Sequence, residues 1–437
     1  MTFENCSEKK EGETVEIYIH IPVCARKCAY CDFLSFPMGR AVQEAYKNAL
    51  LSEIRSRSDW MISKSTEPED REVSSVFIGG GTPSIFPAEW IEEILDEVRR
   101  FFHIITDAEI SIEANPGTVK KRDLEIYRRA GINRISFGCQ SADDRELRLL
   151  GRIHTWERFL ESYTWAREAG FSNINVDLMS ALPGQTVESW ERSLRSVAEL
   201  GAEHISAYSL IIEEGTPFYE MYAEADEARR LDTASAGRQP QESTSDDGQI
   251  PERDAENGTA ERQNGSYGDA AALLPDEESE RLMYERTETI LAEYGYHRYE
   301  ISNYTKDGRE CRHNVGYWTG IPYLGMGLGA SSYDGAARFR NTDELTDYLN
   351  GDFEPKEIEY LDTEDLQAEC MILGLRMTAG VSEREFADRF GKSTEAVYGP
   401  VIRKYEQAGL LERREGRIML TREGLSLSNT VMADFLP

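Results

Sequence analysis

The sequence predicts an α/β fold, an open and partial barrel of six βα units followed by a small α+β domain. Short runs rich in Ile, Val, Phe or Tyr recur in the first half of the chain, at 16–21, 74–80, 108–114, 132–138, 173–179 and 204–210. Segments with helical character separate these runs, and strands that alternate with such helices form parallel sheets with right-handed crossovers. Because only six units are visible, rather than the eight of a closed barrel, we expect the barrel to be incomplete.

The elements between and after these strands set the domain boundaries. Predicted helices lie at 41–57, 88–102, 121–131 and 187–201. An acidic stretch then interrupts the pattern, and its middle part, 233–270, has only Ile250 and Tyr267 as large apolar residues. It cannot bury enough apolar surface to offset the entropy of ordering, so we predict disorder. The predicted division is a tail at 1–15, the partial barrel at 16–222, the acidic insertion at 223–275, a barrel extension at 276–361 and a C-terminal domain at 362–437.

The C-terminal segment predicts a winged-helix-like α+β domain. Its three predicted helices lie at 363–380, 381–391 and 394–411. Gly399 and Pro400 are expected to interrupt the third helix, and a hairpin is expected to turn near Gly416. A winged helix suggests DNA binding, yet residues 381–425 contain nine basic and eight acidic residues, which is no basic stripe. We therefore favour a structural or docking role for this domain.

Charge and hydropathy exclude several classes of protein. The net charge of −31 argues against general nucleic-acid binding, which needs a basic face to displace counterions. No run of about 18 or more apolar residues occurs, so we predict no membrane span. The polar N-terminus lacks the basic and apolar regions of a signal peptide. We expect a cytoplasmic protein whose contact with membranes is peripheral and made through its partners.

Three of the seven cysteines, Cys24, Cys28 and Cys31, follow the first predicted strand directly. A structural zinc site takes four ligands, often in two pairs, and this chain has one triplet without a second pair. A [4Fe–4S] cluster is normally held by four thiolates, so three thiolates leave one iron open. The amino and carboxylate groups of S-adenosylmethionine (SAM) can chelate that iron, and radical chemistry combines SAM with such clusters. The triplet therefore favours a cluster that binds SAM over zinc.

Other unusual residues are expected at the same edge, because the carboxyl ends of parallel strands meet there. They are Gly80, Gly81, Thr82, Glu113, Gln140, Arg152 and Asp177. The glycines would let backbone N–H groups approach the amino acid end of a ligand. Glu113 and Asp177 suit ribose hydroxyls or an ammonium, and Arg152 suits a carboxylate. Taken singly, each charged residue is more often part of a structural salt bridge; their convergence beside the cysteines favours ligand binding.

Seven motifs, in order, resemble those of the oxygen-independent coproporphyrinogen oxidase family of the radical SAM superfamily. They are YIHIPVCARKCAYCDF, FIGGGTPS, IEANPGT, RISFGCQS, GRIHT, NVDLMSALPGQ and EGTPFY. The resemblance runs from about residue 16 to the C-terminus, apart from the insertion. It implies a TIM-like partial (β/α)6 barrel of the radical SAM type and a [4Fe–4S] cluster held by Cys24, Cys28 and Cys31. It also implies SAM contacts from Tyr18, Gly80, Gly81, Thr82, Glu113, Gln140, Arg152 and Asp177.

Phe33 distinguishes two branches of that family. The coproporphyrinogen dehydrogenases resemble C-x3-C-x2-C-x-C, with a cysteine where this chain has Phe33, whereas the haem chaperone branch has Phe there and a downstream H-N-x-x-Y-W. This chain reads HNVGYW from His313 to Trp318. The resemblance therefore implies a haem region at His313, Tyr317 and Trp318, since imidazole is a common axial ligand and aromatic rings offer apolar surface. Composition alone favours a loop histidine packed beside ordinary core aromatics.

Three functions are consistent with the sequence. The first is a haem chaperone that binds haem, the cluster and SAM and transfers haem to acceptor proteins such as respiratory cytochromes. The second is an oxygen-independent coproporphyrinogen III dehydrogenase, against which Phe33 and the HNxxYW stretch count. The third is a winged-helix regulator that senses iron or haem, against which the neutral C-terminal domain counts. Because His313 lies far along the chain from the cysteines, we expect the haem region to be separate from the cluster and SAM site.

Overall fold

Six parallel strands form the barrel part of the structure. The computed structural model describes residues 14–63, 72–223, 226 and 273–437. The strands are β1 Thr14–Ile21, β2 Glu72–Gly80, β3 Ile104–Ala114, β4 Arg134–Gln140, β5 Ile174–Ser180 and β6 His204–Ser209. Each strand pairs in parallel with the next. The predicted partial barrel of six units is therefore confirmed, whereas most of the predicted tail and insertion lies outside the described residues.

Helices follow these strands in the predicted order. They are α1 Arg40–Ser63, α2 Ala88–Phe101, α3 Lys121–Arg129, α4 Asp144–Leu149, α5 Trp156–Glu168 and α6 Val187–Ala198. Two of them begin at capping threonines: the side chain of Thr155 accepts the N–H of Arg158, and that of Thr186 accepts the N–H of Ser189. Such caps satisfy N–H groups that the first turn of a helix leaves without a partner. They define where each helix starts after its strand.

The two faces of the barrel strands carry different residues. Ile17 and Ile19 of β1 pack with Ile91 and Leu95 of α2 in the main apolar core. Successive residues of a strand point to opposite faces, so the alternate residues line the inside of the barrel. That inner set is polar and buried, and includes Glu16, Ser75, Glu109, Arg134, Asn175 and His204. The barrel therefore has an apolar outer core and a polar interior.

The barrel extension adds strands to both edges of this sheet. Its elements are α7 Glu277–Glu293, β7 His297–Arg298, β8 Asn303–Thr305, α8 Arg312–Thr319, β9 Tyr323–Met326, β10 Ser331–Tyr333, β11 Ala337–Arg340, α9 Leu345–Leu349 and β12 Lys356–Tyr360. The resulting sheet has the order β12-β11-β10-β9-β1-β2-β3-β4-β5-β6-β8-β7. β9 runs parallel to β1, whereas β8 runs antiparallel to β6. Helix α8 connects these two edges, and it packs against β2.

The C-terminal domain has its own apolar core and a small antiparallel sheet. Its elements are α10 Thr363–Gly374, β13 Val381–Ser382, α11 Glu383–Phe390, α12 Thr394–Gln407, β14 Leu411–Arg414, β15 Arg417–Leu420, α13 Arg422–Ser426 and α14 Ser428–Ala433. The sheet order is β13-β15-β14. The predicted hairpin is confirmed, since Glu415 and Gly416 both have positive φ (53° and 74°), as a tight two-residue turn requires.

One prediction for this domain is wrong. Helix α12 continues through Pro400 without the expected interruption. Ile402 and Tyr405 follow the proline in the same helix, and both are buried in the core of the domain. Their packing holds the helix together across the hydrogen bond that proline cannot donate.

Within the described ranges, no helix combines the length and the apolar character that crossing a bilayer requires.

Candidate functional site

The three cysteines lie on the loop between β1 and α1. Cys24 is buried, Cys28 and Cys31 are half-buried, and all three are free thiols. The loop is tied to its surroundings at two points. The N–H of Ala29 donates to the carbonyl of Leu150 (3.1 Å), and the carbonyl of Ala29 accepts the N–H of Phe218 (2.9 Å). The loops that follow β1, α4 and β6 therefore hold one another in place around the cysteines.

The surroundings of the thiols suit a cluster better than a single ion. Burial raises the pKa of Cys24 and Cys31, and the neighbouring Cys28 raises both further. Arg152 donates from Nη1 to the Sγ of Cys28 (3.6 Å). In the part of the chain that the structure describes, no three His, Cys, Asp or Glu side chains converge on one metal ion. Thiolates of a four-iron cluster bind different irons, so they need not converge on one point.

The glycine loop after β2 packs tightly against β1. Gly80 has φ +119°, and a Cβ at this position would lie 2.8 Å from the ring of His20, so no other residue fits. Its N–H donates to Oε2 of Glu113 (3.1 Å). The N–H groups of Gly81 and Thr82 donate to backbone carbonyls at the end of β1 and in the cysteine loop (2.9 and 2.7 Å). All three N–H groups thus have partners within the protein, and the SAM contacts expected from Gly80, Gly81 and Thr82 stay a prediction.

Two carboxyl groups face an interior cavity of about 170 Å³. Burial, followed by the charge of Asp177, raises the pKa of Glu113 to about 8. Asp177 accepts hydrogen bonds from Ser136 Oγ (2.9 Å) and Asn175 Nδ2 (2.7 Å), and burial raises its pKa as well. Tyr18 lines the same cavity. A cation that enters this space would lower the pKa of both acids, so the site is suited to an ammonium or a sulfonium.

Arg152 and Gln140 lie between this cavity and the cysteine loop. Arg152 donates from Nη2 to the carbonyl of Gly138 (2.5 Å) and from Nη1 to Cys28, while its buried Nε has no partner among the described residues. Gln140, at the end of β4, has φ +69°, a sparsely populated conformation for a residue other than glycine. Such conformations cluster at ligand sites. The predicted site residues of β1 to β5 thus lie at one edge, as expected.

His313 lies inside the barrel, beside the residues assigned to SAM. It lines the same interior cavity as Tyr18, Glu113 and Asp177. Its ring stacks on Phe77, with 5.2 Å between ring centroids. The expectation that His313 lies apart from the residues predicted to bind SAM is therefore wrong, while haem and SAM binding at these residues stay predictions. The separation along the sequence did not predict the position of His313, because α8 follows β8 at one edge of the sheet and then packs against β2.

Both nitrogens of His313 are engaged. Nδ1 is 2.7 Å from Oγ of Ser75, and Nε2 is 3.1 Å from Oη of Tyr317. The side chain is buried, with 1% of its surface exposed. Burial, followed by the charge of Arg134, lowers the pKa of His313 to about 3, and burial raises the pKa of Tyr317. The imidazole is therefore neutral at physiological pH.

Tyr317 connects the interior cavity to a second, larger cleft of about 340 Å³. The walls of this cleft include Tyr18, Phe33, Tyr317 and Tyr323. Phe33 is 61% exposed, so its ring is accessible to a ligand in the cleft. The residue that distinguishes the two branches of the family therefore faces the same space as the HNxxYW stretch.

Trp318 lies apart from this cleft. It lines a cavity of about 140 Å³ between the barrel extension and the C-terminal domain. The guanidinium of Arg376 lies 4.2 Å from the centre of its ring, and its buried Nε1 lacks a hydrogen-bond partner in the described residues. The structure thus brings His313 and Tyr317 to the barrel, whereas Trp318 contacts the C-terminal domain.

The sequence analysis missed two polar residues of the interior. Nε2 of His20 donates to the carbonyl of Leu34 (2.9 Å), and Nδ1 lies 3.1 Å from Oη of Tyr18, so His20 joins β1 to the cysteine loop. Arg134 is 2% exposed and lines the interior cavity. The alternation of residues along each strand would have indicated that both side chains face the interior. On β1, for example, Glu16, Tyr18 and His20 share one face.

Comparisons with known proteins identify the family. The Radical SAM superfamily model matches residues 18–197, and the HemN C-terminal domain model matches residues 361–427. A Bacillus subtilis protein named heme chaperone HemW is 34% identical over 96% of this chain and 98% of its own length. The chain belongs to the HemW family of radical SAM proteins. An Escherichia coli HemW is 33% identical, covering 72% of this chain and 69% of the relative.

A solved structure bears on the fold of this HemW family member. Escherichia coli coproporphyrinogen III oxidase (HemN), described as a radical SAM enzyme, matches with a TM-score of 0.74 at 23% identity. The match covers 97% of this chain and 90% of the other. Together with the family models, it confirms the partial barrel of radical SAM type and the separate C-terminal domain. The radical SAM superfamily takes its name from SAM, and a [4Fe–4S] cluster is its second cofactor, as the cysteine triplet predicted.

Proposed function

We propose that this chain is a cytoplasmic haem chaperone that binds haem, a [4Fe–4S] cluster and SAM, and transfers haem to acceptor proteins such as respiratory cytochromes. The observation that carries the proposal is the cleft that Phe33 and Tyr317 share. These residues belong to the two sequence features that separate the chaperone branch from the dehydrogenases. Aromatic rings that remain exposed at a cleft suit a flat apolar ligand.

The cysteine loop supplies the ligands of the cluster in this proposal. Cys24, Cys28 and Cys31 would each bind one iron, and the fourth iron would be left for SAM. The free thiols and the loop contacts at Ala29 support this assignment, because the three sulfurs are held on one anchored segment. Arg152 would hold the side chain of Cys28 in place through its hydrogen bond to Sγ. When bound, the cluster supplies an electron that can cleave SAM.

The proposed SAM contacts surround the cluster at the carboxyl edge of the sheet. They are Tyr18, Gly80, Gly81, Thr82, Glu113, Gln140, Arg152 and Asp177. Among these, Glu113 and Asp177 would hold the cationic part of SAM, since both acids are buried and line the interior cavity, and burial raises the pKa of each more than nearby Arg134 lowers it. The glycines would act by close packing, which brings the Glu113 carboxyl to the backbone of the glycine loop.

Haem would occupy the cleft at this edge, and it would lie against SAM there, since Tyr18, Gly80 and Glu113 also line the cleft. Phe33, Tyr317 and Tyr323 would contact the macrocycle, and His313 would lie behind Tyr317, hydrogen-bonded to its hydroxyl. A cleft with an exposed rim suits a cargo that must leave again for an acceptor. The cleft lies next to the cysteine loop. This adjacency supports a chaperone in which the cluster and SAM lie close to the bound haem.

The decisive experiment measures haem binding and coproporphyrinogen turnover side by side. The full chain would be reconstituted anaerobically with iron, sulfide and SAM, and then titrated with haem in one series and given coproporphyrinogen III in the other. We expect saturable haem binding, transfer to a haem-free cytochrome, and no turnover. Conversion of coproporphyrinogen III to protoporphyrinogen IX would replace this proposal with the dehydrogenase function. If haem binds but does not pass to the cytochrome, the result would contradict haem transfer and leave haem binding in place.

A further inference from the structure

The hydrogen-bonded pair of Tyr317 and His313 suggests which group contacts the cargo. We propose that Tyr317 ligates the haem iron and that His313 is a positioning residue that hydrogen-bonds the phenol oxygen. This inference rests on the proposed haem binding and names the ligand at that site. It reverses the expectation from the sequence, in which the histidine was the ligand.

His313 is closed to an incoming iron. Its side chain is 1% exposed, and both ring nitrogens already have partners in Ser75 and Tyr317. Its ring lies near parallel to those of Phe77 and Tyr18, with centroids 5.2 and 6.4 Å away. Ligation through either nitrogen would require the ring to leave this stack and to give up a buried hydrogen bond.

Tyr317, unlike His313, is accessible from the cleft. It is only half-buried, and it lines both the interior cavity and the cleft that Phe33 faces. His313 and Tyr317 are four residues apart on α8, so the helix itself brings their side chains together. The phenol therefore stands between the buried imidazole and the open cleft, where a ligand can reach it.

The chemistry of the pair fits a tyrosinate ligand. Tyrosinate is an established axial ligand of haem iron. When ferric haem binds, the O–H bond of Tyr317 breaks and an O–Fe bond forms, while the proton is released to water in the open cleft. Nδ1 of His313 lies 2.7 Å from Oγ of Ser75, so the ring that holds the phenol oxygen is itself held in place. Water returns a proton to the phenolate when the iron leaves, so binding is reversible.

The remaining walls of the cleft match this geometry. Tyr323 meets Tyr317 edge to face, with 4.6 Å between ring centroids. Phe33 stands on the cysteine loop and is largely exposed. A macrocycle whose iron met the phenol oxygen would thus have aromatic rings beside it on two elements, β9 and the cysteine loop.

The test uses the full chain and ferric haem, with absorption and resonance Raman spectra as readouts. The variants are Tyr317→Phe, His313→Gln and the control Tyr333→Phe. Tyr333 lies on β10, the strand that pairs with β9. Its hydroxyl donates to the carbonyl of Gly335, and the side chain does not line the cleft. We expect phenolate–iron bands in the wild type and in Tyr333→Phe, and their loss in Tyr317→Phe. His313→Gln should keep the bands and bind about tenfold more weakly, since an amide oxygen still accepts the phenol hydrogen bond.

Each outcome separates this inference from the proposed function. Phenolate–iron bands that persist in Tyr317→Phe would overturn the assignment, as would a wild-type spectrum typical of histidine ligation. Haem binding that is indifferent to Tyr317→Phe would contradict the inference while leaving the chaperone proposal in place. Absence of haem binding by the wild type would overturn both. Thermal unfolding of each variant confirms that it is folded, and Tyr317→Phe keeps the ring that packs on Tyr323.

Discussion

The interior of the barrel and the core of the C-terminal domain are equally buried, yet they are built from opposite residue types. The C-terminal core consists of side chains such as Phe386, Ile418 and Phe435. The barrel interior instead buries Glu16 and Arg134, each with an atom that lacks a hydrogen-bond partner in the described residues. Buried polar groups destabilise a fold unless they are paired. The difference indicates that the barrel interior is shaped for ligands, whereas the C-terminal core is shaped for stability.

The largest effect is expected from removing one of the three thiols at the edge of the barrel. Changing Cys24, Cys28 or Cys31 to Ala should abolish the cluster, because two thiolates do not retain a four-iron cube. Iron and sulfide would be assayed after anaerobic reconstitution. The matched control is Cys370→Ala, in the C-terminal domain, which should keep the full iron content. A full complement of cluster in any of the first three variants would refute the assignment.

A cavity in the C-terminal core should affect stability and nothing else. Phe386 is 1% exposed, and Phe386→Ala should lower the free energy of unfolding of that domain by about 3–5 kcal/mol, since the cavity adds to the lost burial. Chemical denaturation would measure the change. Leu436→Ala, at a side chain that is 60% exposed, should have little effect. Loss of haem or cluster binding in folded Phe386→Ala would show that the two regions are not separate in function.

Unlike Phe386→Ala, Glu113→Gln should remove a loss of stability that the wild type shows as the pH rises. It should also weaken SAM binding. The pKa of Glu113 in the folded chain, about 8, lies above its ordinary value of 4.5, so the folded chain holds this proton more tightly than the unfolded chain. Stability is therefore lost as the pH rises from about 4.5 to about 8, and the glutamine variant should lack that loss. Thermal unfolding across this pH range would measure it. The exposed Glu125→Gln should behave like the wild type, and a parallel pH dependence in Glu113→Gln would contradict the raised pKa.

The smallest effect is expected from deleting residues 233–270. Their composition predicts no contribution to a packed core, and the segment lies outside the described residues. Haem titration and iron content of the shortened chain should match those of the full chain. Limited proteolysis with mass spectrometry should cut the full chain within this segment. Resistance throughout the segment would show that the predicted boundaries are wrong.

Local sequence patterns predicted the elements well and their mutual contacts poorly. The six strand runs, the barrel helices and the hairpin near Gly416 follow from periodicity and turn residues, which act over a few positions. The continuity of α12 across Pro400 does not, because it depends on burial of Ile402 and Tyr405 in a core that later elements complete. Likewise, the N–H groups of the glycine loop appeared free in the sequence, yet β1 and Glu113 use them.

The sequence alone determined the fold class, the cysteine triplet and the polar residues at the carboxyl edge of the strands. These follow from spacing along one chain, since parallel strands bring their ends to a common edge. Only the tertiary structure decided that His313 is buried in the barrel beside Tyr18, and that Tyr317 and Phe33 share a cleft. The physical reason is that α8 joins opposite edges of the sheet. Which of its side chains face the interior depends on contacts with β1 and β2, and no local pattern encodes them.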